Sequence, residues 1–249
     1  MPKGVNKMID EICDGIYRIK IPFDDIYTAA FLLTSGENAI IFDSGSSDSD
    51  AEKYIIPLVS KMGFTPKCIA ISHMHDDHCG GMEALKKAYP DAKAVAFSNQ
   101  KGCTALSDGE VLLGRYTAFN LPGHSDDCMA LCDIKTKTLI SCDCLQQYGI
   151  GKYGTFYTDY SKYLSSVERV RRLNPDMIVA SHEFVPLGSI AKGSSVNNFL
   201  DECENAAKNI SSFAKMHPDM NKEELQNTFV KTFPNLPKIS GYTIEMSRE

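Results

Sequence analysis

The stretch Ser72-His73-Met74-His75-Asp76-Asp77-His78-Cys79-Gly80-Gly81 holds three of the chain's six histidines, with two aspartates among them. It follows directly on Cys68-Ile69-Ala70-Ile71, an apolar run that reads as a buried strand. A strand end that continues into a loop can aim His73 and His75 the same way, because side chains repeat every two residues, and Asp77 and His78 arrive on the following turn. Neutral imidazoles and a carboxylate are ligands that Zn²⁺ and Fe²⁺ accept, and this one segment supplies four. The plainer alternative is a polar loop in which Asp77 caps the next helix. That alternative gives no reason for three histidines.

Working outward, two more histidines stand where an apolar strand meets a loop: His124 in Leu121-Pro122-Gly123-His124-Ser125 and His182 in Ile178-Val179-Ala180-Ser181-His182. Asp143 ends Thr138-Leu139-Ile140-Ser141-Cys142-Asp143 in the same manner. Residues at such junctions lie at a sheet edge, where loops build sites. His217, in Lys215-Met216-His217-Pro218, reads as a solvated surface residue. Cys142 and Cys144 flank Asp143, and in a regular strand their side chains would point opposite to it, into the core.

The surrounding pattern is α/β. Ile16–Ile21, Ala29–Leu33 and Ala39–Phe42 read as successive antiparallel strands, and the positions Tyr54, Ile55, Leu58 and Met62 put one apolar face on a helix over 50–62. A strand over 67–72, a helix over 81–89 stopped by Pro90, and strands over 94–97 and 116–121 follow. Residues 129–134 and 138–142 form a hairpin-like pair. Ser161 is expected to cap a helix reaching Leu173, a buried strand to cover 176–181, and two helices to run to about Met216 and over 222–232. No repeat or linker divides the chain, so one domain over 1–249 is expected, with 196–249 a helical C-terminal extension.

A chain of 249 residues buries about 70% of its unfolded surface and needs no disulfide staples. Twenty-six basic against 32 acidic residues, a net charge of −6, disfavour nucleic acid as a partner. No apolar run is long enough to span a membrane, and the start, Met1 to Lys7, has no apolar core behind it. The expectation is a cytoplasmic protein whose nine cysteines, an odd and scattered set, are reduced thiols.

In its order of residues, His-x-His-x-Asp-His and then a distant His, an Asp and a final His, the chain resembles the metallo-β-lactamase-fold hydrolases, in particular their hydroxyacylglutathione hydrolase and lactonase-like branch. Asp43-Ser44-Gly45, after a strand, is similar to that family's early Asp-x-Gly turn. The resemblance runs from about Ile16 to His182. It implies an αββα sandwich of two mixed β-sheets flanked by helices, with two divalent metal ions, zinc foremost and iron or manganese as alternatives. By the same resemblance His73, His75 and His124 would bind the first ion, Asp77, His78 and His182 the second, and Asp143 would bridge both. The implied activity is hydrolysis of an ester, thioester or lactone of a small molecule by a metal-bridging hydroxide, with Asp77 orienting it and relaying its proton.

The segment from Gln146 to Tyr160 carries four tyrosines and three glycines, so Tyr148 and Tyr153 are candidate substrate-lining residues, with ordinary packing on the sheet as the alternative. The same ligand types also admit an iron persulfide dioxygenase, which uses fewer of them. Diiron oxygen reductases usually carry Glu at the second His of the motif, and this chain keeps His75. Phosphodiesterase activity would need a phosphate-gripping basic surface, and a metallated scaffold that only binds has no need of a complete ligand set. Substrate identity and oligomeric state are not written in these patterns.

Overall fold

The computed structural model describes residues 8–148, 154–184 and 188–248. The fold is α/β, two mixed β-sheets flanked by helices. The chain packs as two units, Met1–Asn120 with Met129–Lys137, and Leu121–Cys128 with Thr138–Glu249.

In the first unit, β1 (Ile9–Cys13), β2 (Ile16–Phe23), β3 (Ile26–Ser35) and β4 (Asn38–Phe42) run antiparallel in sequence order, and β5 (Thr65–Ala70), β6 (Lys93–Ala96) and β7 (Thr104–Ala105) add parallel to complete seven strands. The first four are joined by short turns, so they pair as neighbours in register, Ile16 opposite Leu33 and Phe31 opposite Phe42. Parallel neighbours need crossovers instead. These are α1 (Asp48–Asp50), a π-helical stretch Ala51–Ile55 and α2 (Ile56–Met62), then α3 (Asp76–Cys79) and α4 (Met82–Ala88). Ile19, Ile21, Leu32, Ile41 and Ile69 from the sheet meet Ile55, Val59, Met82 and Leu85 from these helices in one buried cluster.

The single helix expected over 50–62 is broken for a reason visible in its residues. Pro57 has no N–H to give the carbonyl of Lys53, so an i to i−4 bond cannot form there. The backbone widens into a π turn instead, in which the Ile56 amide reaches Ala51.

The same unit carries β8 (Val111–Leu112), β9 (Tyr116–Asn120) and β10 (Met129–Asp133), paired antiparallel. Arg115 fastens them to the larger sheet. Its guanidinium forks onto Asp133 at 2.8 and 2.7 Å, and it donates to the carbonyls of Thr34 at 2.8 Å and Asp14 at 2.7 Å. The buried Tyr116 hydroxyl donates to the Thr34 carbonyl as well, at 2.8 Å.

In the second unit β11 (Thr138–Cys142) runs parallel to β12 (Met177–Phe184), which pairs antiparallel with β13 (Gly188–Lys192). The crossover from β11 to β12 holds α5 (Tyr160–Leu173). Its cap is Asp159, whose carboxylate accepts the Lys162 amide at 2.8 Å, and Ser161, expected at that place, lies within the first turn. Asp reaches the exposed amides as well as Ser does, and the cap falls two residues earlier. Three helices follow: α6 (Ser195–Met216), α7 (Lys222–Thr232) and α8 (Gly241–Met246). Phe199, Leu200, Cys203, Ala206, Ala207, Ile210, Phe213 and Ala214 recur at helical spacing along α6 and are its buried face. Asn221 and Glu224 close a capping box on α7. Among the described residues no helix is long and apolar enough to cross a membrane, and no disulfide is formed.

Candidate metal centre

In the first unit β5 delivers the chain to Ser72 and then to the histidine-rich turn. His73 and His78 are buried, while His75 and Asp77 are partly exposed. The ring nitrogens His73 Nε2 and His75 Nδ1 stand 3.0 Å apart. Asp77 Oδ2 lies 3.2 Å from His78 Nε2. The opposite side of each buried ring is held from behind, His73 Nδ1 by the Ser72 hydroxyl at 3.0 Å and His78 Nδ1 by Asp43 Oδ2 at 2.8 Å.

Asp43 sits just past β4 at φ +70, a left-handed conformation that Asp tolerates better than most residues. Its Oδ1 accepts the Ser72 amide at 2.7 Å and its Oδ2 the Ser72 hydroxyl at 2.9 Å. The next residue, Ser44, gives its amide and hydroxyl to the His78 carbonyl at 2.7 and 2.9 Å, so the turn after β4 is stitched to α3. This close approach explains the glycine pair that ends the motif. A Cβ on Gly80 would stand 2.1 Å from the Ser46 carbonyl oxygen, and one on Gly81 2.3 Å from that of Ser44.

In the second unit His182 Nε2 lies 3.3 Å and His124 Nε2 3.7 Å from Asp143 Oδ2, and all three residues are buried. His124 Nδ1 points to the Phe156 carbonyl at 2.9 Å. The residue before it, Gly123, is required by the packing, because a Cβ there would sit 2.5 Å from the Tyr163 Cα. Gln146 is buried against the same group. Its Nε2 donates to Asp143 Oδ2 at 3.2 Å, its Oε1 accepts the Phe156 amide at 2.8 Å, and its backbone amide and carbonyl bracket the Tyr163 hydroxyl at 2.9 and 2.7 Å.

The strand leading to Asp143 does not stay regular. Cys142 turns to φ +45, so the alternation expected to send Cys142 and Cys144 away from the carboxylate ends one residue too early. Both thiols are nonetheless buried. Burial, and contact with Cys128, push the Cys144 thiol well above its ordinary pKa, which suits packing and not reactivity.

Tyr148 turns to α6, where its hydroxyl donates to the Ala206 carbonyl at 3.3 Å, and burial raises its pKa to about 12. Tyr153 lies outside the described residues. Tyr157 is fully buried, stacked on Tyr163 with ring centroids 5.1 Å apart. His217, expected on the surface, is half-buried with its ring 4.7 Å from that of Phe213. Sequence reasoning left Asp43 and Gln146 without a role. The buried acid at the end of β4 was the available signal for Asp43, and nothing local marks Gln146.

The donor set fits a divalent metal on two counts. Two ligand atoms, each about 2.1 Å from one tetrahedral ion, are separated by about 3.4 Å, close to the 3.0 Å of His73 and His75, the 3.2 Å of Asp77 and His78 and the 3.3 Å of Asp143 and His182. Metal-binding imidazoles also give their other nitrogen to a carboxylate, carbonyl or similar group, which fixes tautomer and ring orientation. Asp43 and the Phe156 carbonyl stand in those places for His78 and His124.

Comparison with known proteins agrees with this chemistry. The family model described as the metallo-beta-lactamase superfamily matches residues 24–96 and 104–182. A beta-lactamase-like protein 2 homolog of Caenorhabditis elegans is 24% identical over 241 residues, covering 88% of this chain and 77% of that one. A hydroxyacylglutathione hydrolase of Francisella tularensis subsp. holarctica (strain LVS) is 28% identical over 153 residues, and the match spans 59% of each chain. Among solved structures, the TMB-1 structure superposes with a TM-score of 0.65 at 18% identity, covering 80% of this chain and 97% of that one.

Proposed function

Because the chain belongs to the metallo-beta-lactamase superfamily, we propose that it is a metal-dependent hydrolase with a dinuclear centre that opens an ester, thioester or lactone of a small molecule. His73, His75 and His124 would hold one ion and Asp77, His78 and His182 the other, with Asp143 as a ligand shared by both. The anchoring of ring nitrogens on the side away from these contacts carries the reading, because metal-binding histidines characteristically have their other nitrogen held by a carboxylate or carbonyl, as Asp43 and the Phe156 carbonyl hold His78 and His124. The set is all imidazole and carboxylate, a choice that suits zinc, with iron and manganese as alternatives.

Divalent ions in such a set lower the pKa of water toward neutrality and polarise a carbonyl oxygen. The chain's own part is to orient and to move a proton. Asp77 presents one oxygen toward His78, and its second takes the proton of the attacking water and passes it to the leaving group. Gln146 holds the Asp143 carboxylate from the protein side, so that its direction is set before substrate arrives. Similarity to hydroxyacylglutathione hydrolases supports a thioester within the range, and an odd, scattered set of nine cysteines suits a reducing, cytoplasmic compartment.

The test is metal analysis of protein grown with iron and zinc both supplied, followed by a hydrolysis panel of thioesters, lactones and phosphodiesters. Two ions per chain and turnover of a thioester or lactone are expected. A single iron per chain under metal-replete conditions would replace this reading with the mononuclear dioxygenase.

A further inference from the structure

A groove of about 350 Å³ opens in the first unit, where β1 and β2 face the π-helical stretch and α2. Its floor is apolar, with Ile9, Ile19, Pro57 and Leu58, and its lining includes two ammonium groups, Lys53 and Lys61. The sequence explains both features. Lys53, Pro57 and Lys61 recur at four-residue steps, so they fall along one side of the helical segment. The π turn imposed by Pro57 widens the backbone at this place, and π turns inserted in helices are frequent at functional sites. Lys53 is held beside the Tyr54 ring, with Nζ 4.7 Å from the centroid.

The charge around the groove is one-sided, against a chain whose net charge is −6. No carboxylate is among the residues that line it. On β1, Asp10 is taken up by Arg18 at 2.8 Å and Lys20 at 3.1 Å. Its neighbour Glu11 hydrogen-bonds Tyr17. Asp50, before the π turn, accepts the Ser46 amide at 3.1 Å. An occupant of this groove therefore meets hydrocarbon below and two ammonium groups beside it, Lys53, hydrogen-bonded to Tyr54 with Asp50 acting on it from outside the lining, and Lys61.

We propose that this groove binds a single-chain anionic amphiphile, a medium-chain fatty carboxylate, with the alkyl chain over Ile9, Ile19 and Leu58 and the head group at Lys53 and Lys61. The volume is at the small end of ligand pockets, which suits one chain and not a two-chain lipid. This site lies apart from the seven proposed metal ligands, none of which lines the groove.

Isothermal titration of the metal-loaded protein with decanoate, decanesulfonate and decylammonium tests the proposal. Sulfonate is a poor metal ligand, so it separates this groove from any carboxylate binding at the metal centre. Saturable one-to-one binding of both anions is expected, with octanoate weaker by roughly 15-fold, about fourfold for each methylene lost. The Lys53→Gln/Lys61→Gln protein should lose at least tenfold in affinity for decanesulfonate while its hydrolytic rate and metal content stay unchanged. Leu58→Glu should abolish binding, and the surface lysine variants cover the case in which Leu58→Glu does not fold. Equal binding of decylammonium, unchanged affinity in the double lysine variant, or a dimer in solution that Leu58→Glu splits would each overturn the proposal. The last would assign the face to a second copy of the chain.

Discussion

Asp43 and His78, 35 positions apart in the chain, meet in a contact of 2.8 Å between Oδ2 and Nδ1, both side chains shut off from solvent. With a carboxylate behind it, Nδ1 keeps its proton and Nε2 presents a lone pair. Asp43→Asn changes that without changing shape. Its carbonyl oxygen can still accept the Ser72 amide, but its NH₂ then faces His78 Nδ1 and favours the tautomer in which Nε2 is protonated. Metal affinity, measured by competition with a chromophoric chelator, should fall about 10- to 100-fold. Unchanged affinity would mean that His78 does not bind metal through Nε2.

The Arg115–Asp133 fork is a matter of stability and lies away from the proposed chemistry. Burial works against the charge of Asp133, but hydrogen bonds from Arg115, Thr136 and the Lys135 amide prevail and hold its carboxyl below the ordinary value of 3.8. A carboxyl lowered on folding stabilises above its unfolded pKa, and the benefit is lost as pH falls through the folded one. The window therefore lies below about pH 4. Arg115→Met leaves Asp133 buried without its partner and should cost about 3–5 kcal/mol in urea unfolding at pH 7. That deficit should shrink in acid as Asp133 becomes protonated in both proteins. A deficit that does not change between pH 7 and pH 3 would show that packing, and not the ion pair, sets the cost.

Two glycines separate crowding from backbone strain. Gly80→Ala drives a Cβ to within 2.1 Å of the Ser46 carbonyl oxygen, and backbone on both sides resists. Gly63→Ala meets nothing within 4 Å but keeps a φ of +75. The second should cost about 1–2 kcal/mol, the usual penalty of a left-handed residue with a Cβ. The first should cost about 3 kcal/mol and lower metal content as well, because the turn holding His78 has to move. Equal losses of stability with intact metal binding would show that the loop over 44–47 yields easily.

The strands of the first sheet were legible because their apolar runs are bounded by turn residues, and Phe31, Ile41 and Ile69, each inside such a run, are buried. The residue types and order of the seven candidate ligands were equally plain. What escaped depended on contacts that no local pattern carries. The edge strand β1, Ile9-Asp10-Glu11-Ile12-Cys13, is half-buried and acidic, β13 sets only Ile190 and Ala191 among Gly, Ser and Lys, and α8 is too short to raise a periodic signal. The helix expected over 50–62 rests on Tyr54, Ile55, Leu58 and Met62, and the missing amide of Pro57 among them is the clue to its break. The Asp43 and Gln146 contacts close only when segments far apart in the chain pack together.

Asp77 should behave differently from the histidines around it. Replacing His73 or His78 removes a nitrogen donor, so metal and activity should vanish together. Asp77→Asn keeps an oxygen donor near His78, where the carboxylate now stands 3.2 Å from Nε2, but it loses the group that takes a proton from the attacking water. Metal content should therefore fall less than turnover. A positioned acid–base group is worth about 10²–10⁴-fold in rate, and hydrolysis of an activated thioester by this variant should drop by that amount. The comparison is made at measured metal occupancy, since an empty site would imitate a lost proton relay. A fully metallated Asp77→Asn that turns over as fast as the parent would remove Asp77 from the proton path and leave it as a ligand alone.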